Sequence, residues 1–217
     1  IAFIFNSLTM SLKKSIIQVK EDYMKKIALV VDIKNWAFDL AAHIIKNHLS
    51  DQFKIDIFCS KSEEYQNDLF KVLEIVKDYD IIHFFWRAIL LDFEKTEFKD
   101  KVIEKYGDYN SYIQKIVPKI STGVYDHLYI EDENFNRIFS TYCRQYVTSS
   151  QKLFSIYEGM PNIKKPSCIM GDSFEKELFY PSSLERFENY FDKNQELVIG
   201  WVGNSQWNSS IKDSNGN

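Results

Sequence analysis

Glycine and proline are scarce in this 217-residue chain, with seven and four residues, which speaks for a folded domain and against a linker or low-complexity segment. Its three cysteines, Cys59, Cys143 and Cys168, are far apart and form no Cys-x-x-Cys or Cys/His metal pattern, so the reading is buried thiols in a reducing compartment, with no metal. A block of one charge sign is also missing. The 27 Lys and Arg are interspersed with 31 Asp and Glu for a net charge of −4, which argues against a dedicated nucleic-acid binder. No apolar run reaches about 18 residues and no signal peptide with a credible cleavage site is present, which predicts a cytoplasmic protein and leaves peripheral membrane contact open.

What the chain has is core-forming material. Hydrophobic residues make up 45% and aromatics 16%, including 17 Phe and 13 Tyr, enough for one substantial α/β domain or one domain plus pieces of neighbours. Residues 1–24 read as a helical extension or the tail of a preceding domain, with Leu12, Ile16, Ile17 and Tyr23 at helical spacing; Met24-Lys25-Lys26 resembles a natural beginning. From Lys26 the pattern turns regular: apolar runs 27–32, 54–59 and 80–85 alternate with helical periods over 36–49 and 63–77. This is a βαβαβ start with strands covered on both faces. The first helix is expected to turn Trp36, Leu40, Ile44 and Leu49 or Ile45 to one side. Segment 87–117 is helical with a break at Asp108-Tyr109-Asn110. Strands are expected at 119–125, 144–148 and 167–170 and helices at 131–141, 151–158 and 182–195, with Ser149-Ser150 capping the helix at 151–158. The run Leu197–Ser205 opens a further sheet. The predicted organisation is a Rossmann-like parallel sheet flanked by helices over 25–183, then a linker and first strand of a second domain over 184–217.

Ligands of open parallel sheets collect beyond the strand C-termini. The positions that converge there are Asp32 with Trp36, His83 with Trp86 and Arg87, Tyr125-Asp126-His127, and Thr148-Ser149-Ser150. Each has two readings. Asp32 either caps the next helix or meets a ligand. His83, inside an apolar run, is a hydrogen-bonded core histidine or a site residue. Arg87 pairs with an acid or takes a phosphate or carboxylate. His127, in a polar turn after Asp126, is placed for hydrogen bonding to a substrate hydroxyl, or is a structural loop histidine. A GxSxG elbow, a P-loop, an HExxH helix and glycines after the first strand are all missing, which speaks against serine hydrolase, P-loop, zincin and dinucleotide chemistry.

The element order, Tyr125-Asp126-His127, Thr148-Ser149-Ser150, Glu177-Leu178-Phe179-Tyr180-Pro181 and Ile199-Gly200-Trp201-Val202-Gly203-Asn204-Ser205 together resemble family 4 glycosyltransferases, retaining enzymes of the two-domain GT-B fold. The resemblance covers about residues 25–217. It implies a nucleotide-sugar donor as substrate, no cofactor, a glycan or lipid-linked acceptor, and a chain that is catalytically silent without a full second domain. It puts His127, with Asp126, near the donor sugar, Asp32, Trp36, His83 and Arg87 on the acceptor side, and Gly203, Asn204 and Ser205 at the start of the donor-nucleotide site. Three departures stand out: Asp172-Ser173-Phe174-Glu175 where members usually read Asn-Gly-Val-Asp, Gly203-Asn204 where many have Gly-Arg, and Asn215-Gly216 in place of Lys-Gly. The other reading is a non-catalytic or degenerate α/β binding module of a larger protein.

Overall fold

The structure, a computed structural model, describes residues 24–171. The expected helices over 1–24 and 182–195 and the strand opening at Leu197 lie outside the described residues, as does the domain boundary near 184.

Five parallel strands form one sheet in the order β2-β1-β3-β4-β5: β1 Lys26–Val31, β2 Lys54–Cys59, β3 Ile81–Phe84, β4 Ile120–Val124 and β5 Gln145–Thr148. This is the Rossmann-like α/β architecture expected from the alternating apolar runs. The helices are α1 Ala37–Leu49, α2 Leu69–Val76, α3 Thr96–Tyr106, α4 Tyr109–Ile116, α5 Glu133–Thr141 and α6 Gln151–Gly159, with 3₁₀ turns at Arg87–Glu94 and Val117–Lys119. Residues 167–170 contribute one isolated bridge, Ile169 to Thr148, in place of the expected strand. Of the three cysteines only Cys143 is buried; Cys59 is half-buried at the end of β2, and Cys168 is exposed on the segment that runs along β5, where its carbonyl accepts from the Thr148 N–H at 3.1 Å.

Period-two alternation sends β1 to two cores. Ala28 and Val30 join Ile82, Phe84, Ile120 and Val124 under α2 to α6, while Leu29 and Val31 join Ile55 and Phe85 under α1. The inward face of helix α1 agrees with the expected one at Ile45 and Leu49 and departs from it at the start, where Phe38 and Ala42 turn inward and Trp36 and Leu40 are 49% and 59% exposed. The physical reason is in its first turn. Asp39 accepts from the Asn35 N–H at 2.7 Å and is buried, which fixes that side of the helix against the sheet.

Polar caps delimit the later helices. Asp68 accepts from the Phe70 and Lys71 N–H groups, Asp108 from Ser111, Asp132 from Phe135, and Ser150 from Leu153. Between α3 and α4, Gly107 takes φ +81°, so the break expected at 108–110 falls at a Gly-Asp pair that ends one helix and caps the next.

Candidate functional site

All five described strands point the same way, and the order reverses between β1 and β3, each a neighbour of the other but followed by connections to opposite sides. Their C-terminal ends therefore flank the crevice where doubly wound sheets bind ligands. Asp32 and Trp36 follow β1, Trp86 and Arg87 follow β3, Tyr125 to His127 follow β4, and Ser149-Ser150 follow β5.

Asp32 does not cap α1, which starts five residues later with Trp36 in the N-cap position. Its backbone carbonyl accepts from the Cys59 thiol at 3.3 Å and from the Lys61 N–H at 3.2 Å, which joins the loops after β1 and β2. One carboxylate oxygen lies 3.6 Å from Lys61 Nζ; the other, Oδ1, is buried without a hydrogen-bond partner. A buried acceptor left unmatched is costly, and a ligand hydroxyl donating to it would relieve that cost.

His83 sits on the α1 face of β3. Its Nδ1 is 2.9 Å from Ser121 Oγ on β4, and its ring stands edge-on to Phe85 at 4.8 Å. The residue as a whole is half-buried, yet Nε2 is closed off from solvent without a partner, and burial pushes the imidazole pKa down to about 4. The ring is therefore neutral at pH 7. Its neighbours assign it to the inner aromatic group of Phe38, Phe85 and Tyr125, whose rings meet at 4.9 to 6.1 Å.

Arg87 does not reach into the crevice as a free cation. It is 1% exposed; its Nη2 donates to Asp126 Oδ1 at 2.9 Å and to the Leu128 carbonyl at 2.7 Å. The guanidinium lies over Phe135 and Phe139 of α5, at 5.4 and 6.0 Å from the ring centres. The carboxylate it takes is the chain's own. Asp126 Oδ1 also accepts from the Leu128 N–H at 3.0 Å, closing a short turn around His127, which is exposed.

Two residues of this region carry no sequence signal strong enough to single them out. Lys61 lies in the connection between a strand and a helix, and Asn136 sits at the edge of the inward stripe of α5. Asn136 is 1% exposed and its Nδ2 donates to the carbonyls of Tyr129 and Ile130 at 2.8 and 3.0 Å, while its Oδ1 accepts from the Tyr157 hydroxyl at 3.2 Å. An Asn next to buried Phe135 is the available clue. Beyond it, Ile130, Asn136, Arg137, Met160 and Ile163 border a cleft of about 530 Å³.

Gly203, Asn204 and Ser205 lie outside the described residues. Among the described residues, no group of three or more His, Cys, Asp or Glu could hold a metal ion, and no helix is long and apolar enough to cross a membrane. No family model, curated protein or solved structure matches the chain.

Proposed function

We propose that the domain is the acceptor side of a retaining glycosyltransferase that moves a sugar from a nucleotide-sugar donor to a glycan or lipid-linked acceptor. The observation that carries this reading is the crevice at the strand-order reversal, bordered by Asp32 with its unmatched carboxylate oxygen and by the exposed indole of Trp36. A carboxylate that accepts from hydroxyls beside an aromatic face suits a saccharide. In such an enzyme the acceptor hydroxyl attacks the anomeric carbon as the bond to the diphosphate breaks, and the departing charge is stabilised by cations and helix N-termini. His127 hydrogen-bonds the donor sugar, and Gly203, Asn204 and Ser205 start the nucleotide site. Peripheral membrane contact belongs to the same reading where the acceptor is lipid-linked.

Calorimetric titration of the chain with a panel of oligosaccharides tests the acceptor site. Saccharide binding that Trp36→Ala or Asp32→Asn weakens by about tenfold supports it. A panel in which nothing binds overturns it.

A second reading, a binding module without catalysis, is favoured by the Arg87–Asp126 pair, because two groups that chemistry would use neutralise each other. Assays for transfer and donor hydrolysis separate the two readings in an enzyme that includes a complete donor domain. His127→Ala lowers turnover far more than stability if the transferase reading holds; unchanged turnover removes His127 from the site.

A further inference from the structure

We propose that Arg87 and Asn136 are positioning residues that together fix the loop carrying His127. The inference rests on the transferase reading only for the importance of His127; the clamp itself is a matter of geometry. Three consecutive loop carbonyls are each held by a buried donor: Leu128 by Arg87 Nη2 at 2.7 Å, and Tyr129 and Ile130 by Asn136 Nδ2 at 2.8 and 3.0 Å.

The clamp is built from the inside. Both donors are 1% exposed, while the residues they hold reach the surface, with Leu128 and Tyr129 at 49% and 45% exposure. Asn136 is itself held by the Tyr157 hydroxyl on α6, and its amide cannot turn over without setting Oδ1, an acceptor, against the two carbonyls. Arg87 is held over Phe135 and Phe139, and Tyr129, at φ +63°, stacks on Phe135 at 4.3 Å. Asp126 takes one bond from Arg87 and one from the Leu128 N–H, so the residues on both sides of His127 are fixed by the same guanidinium. A loop bonded in this way holds the His127 backbone in one place, which lowers the ordering cost left to its side chain when a ligand arrives.

The test reads the loop directly in the whole chain. Chymotrypsin, which cuts after Leu and Tyr, probes exposed Leu128 and Tyr129, and NMR resolves the His127 backbone amide. In Asn136→Ala and Arg87→Met, cleavage after Leu128 and Tyr129 rises by about tenfold, the effect of leaving two or three polar partners unmatched. The His127 backbone amide signal moves toward its random-coil position while the His83 amide signal stays put. Arg87→Lys, which keeps the charge and one donor direction, recovers part of both effects. Unchanged cleavage and an unchanged His127 signal in a folded variant overturn the clamp, and so does a parallel shift of His127 and His83, which marks general loosening. Should Arg87→Met fail to fold, Asp126→Ala at the partly exposed partner removes the acceptor shared by Arg87 and the Leu128 N–H and is read in the same way. Absence of saccharide binding or transfer in the wild type would sink the functional reading and leave these readouts standing.

Discussion

The Tyr125 ring lies directly over Gly123: a Cβ placed on that glycine would come within 2.2 Å of the ring at Cε2. The same ring stacks on Phe85 at 6.1 Å and meets Phe38 of α1 at 4.9 Å, so it has little freedom to retreat. Gly123→Ala therefore destabilises the domain by about 1–3 kcal/mol through overpacking. In a Tyr125→Ala background the added methyl finds space and the cost largely disappears. Denaturant melts of the four proteins of this cycle measure the coupling; additive effects would show that the ring is not what the methyl meets.

His83 makes stability pH-dependent in a defined window. Its folded pKa is pushed down to about 4 by burial, below the ordinary 6.5. Between those values the unfolded chain binds a proton that the folded chain refuses, so stability is complete above pH 6.5 and falls as the pH drops toward 4. The loss is at most about 3 kcal/mol, reduced to the extent that water reaches the ring on acidification. His83→Gln flattens the pH 4–6.5 portion of the stability curve. Identical slopes for the two proteins would rule the histidine out as the cause.

Glu74 acts at lower pH. Burial alone would raise its carboxyl pKa, but hydrogen bonds from Lys105, Tyr106 and Lys77 outweigh burial and hold it below the usual range. Its contribution is present above the unfolded pKa and disappears as the pH falls through the folded one. The network ties α2 to α3, and Glu74→Gln costs about 1 kcal/mol at pH 7 and low salt, less at high salt. A variant that melts with the wild type at low salt would mean the network contributes nothing net.

Gly107 offers a purely backbone test. At φ +81° it closes α3, and a Cβ there meets nothing within 4 Å. Gly107→Ala costs about 1 kcal/mol by strain alone, and Gly107→Asn costs less. Equal unfolding midpoints for glycine and alanine would contradict the left-handed assignment.

The strands are legible in the sequence because burial on both faces leaves continuous apolar runs, and β1 and β2 end within a residue of the ends read from it. Helix α2 is shorter than its periodicity suggests. Ser-Glu-Glu-Tyr-Gln reads as helix-forming, but Gln66 and Asn67 take φ of +54° and +57°, Tyr65 is buried, and Asp68 caps a helix that begins only at Leu69. The face of α1 is hard to read because Trp36 and Leu40 are apolar and yet exposed, while charged Asp39 turns inward to bond the backbone.

In the candidate site, topology predicts which loops gather but not how their charges pair. Arg87 and Asp126 are 39 positions apart, and nothing in local pattern says that one neutralises the other. His83 is readable as a core histidine from its apolar neighbours; Asn136 and Lys61 matter through carbonyls and carboxylates brought to them by distant segments.

The all-parallel order also governs how the chain acquires its structure. Among the described strands no neighbouring pair can nucleate as a hairpin, because each of these pairings needs a crossover. β1 cannot be paired on both sides until β3 has been made, and β4 and β5 then extend the β3 edge one strand at a time. Such long-range pairing folds slowly and leaves a β-edge open for most of synthesis, so the emerging chain is most exposed to aggregation between the completion of β3 and the arrival of β5.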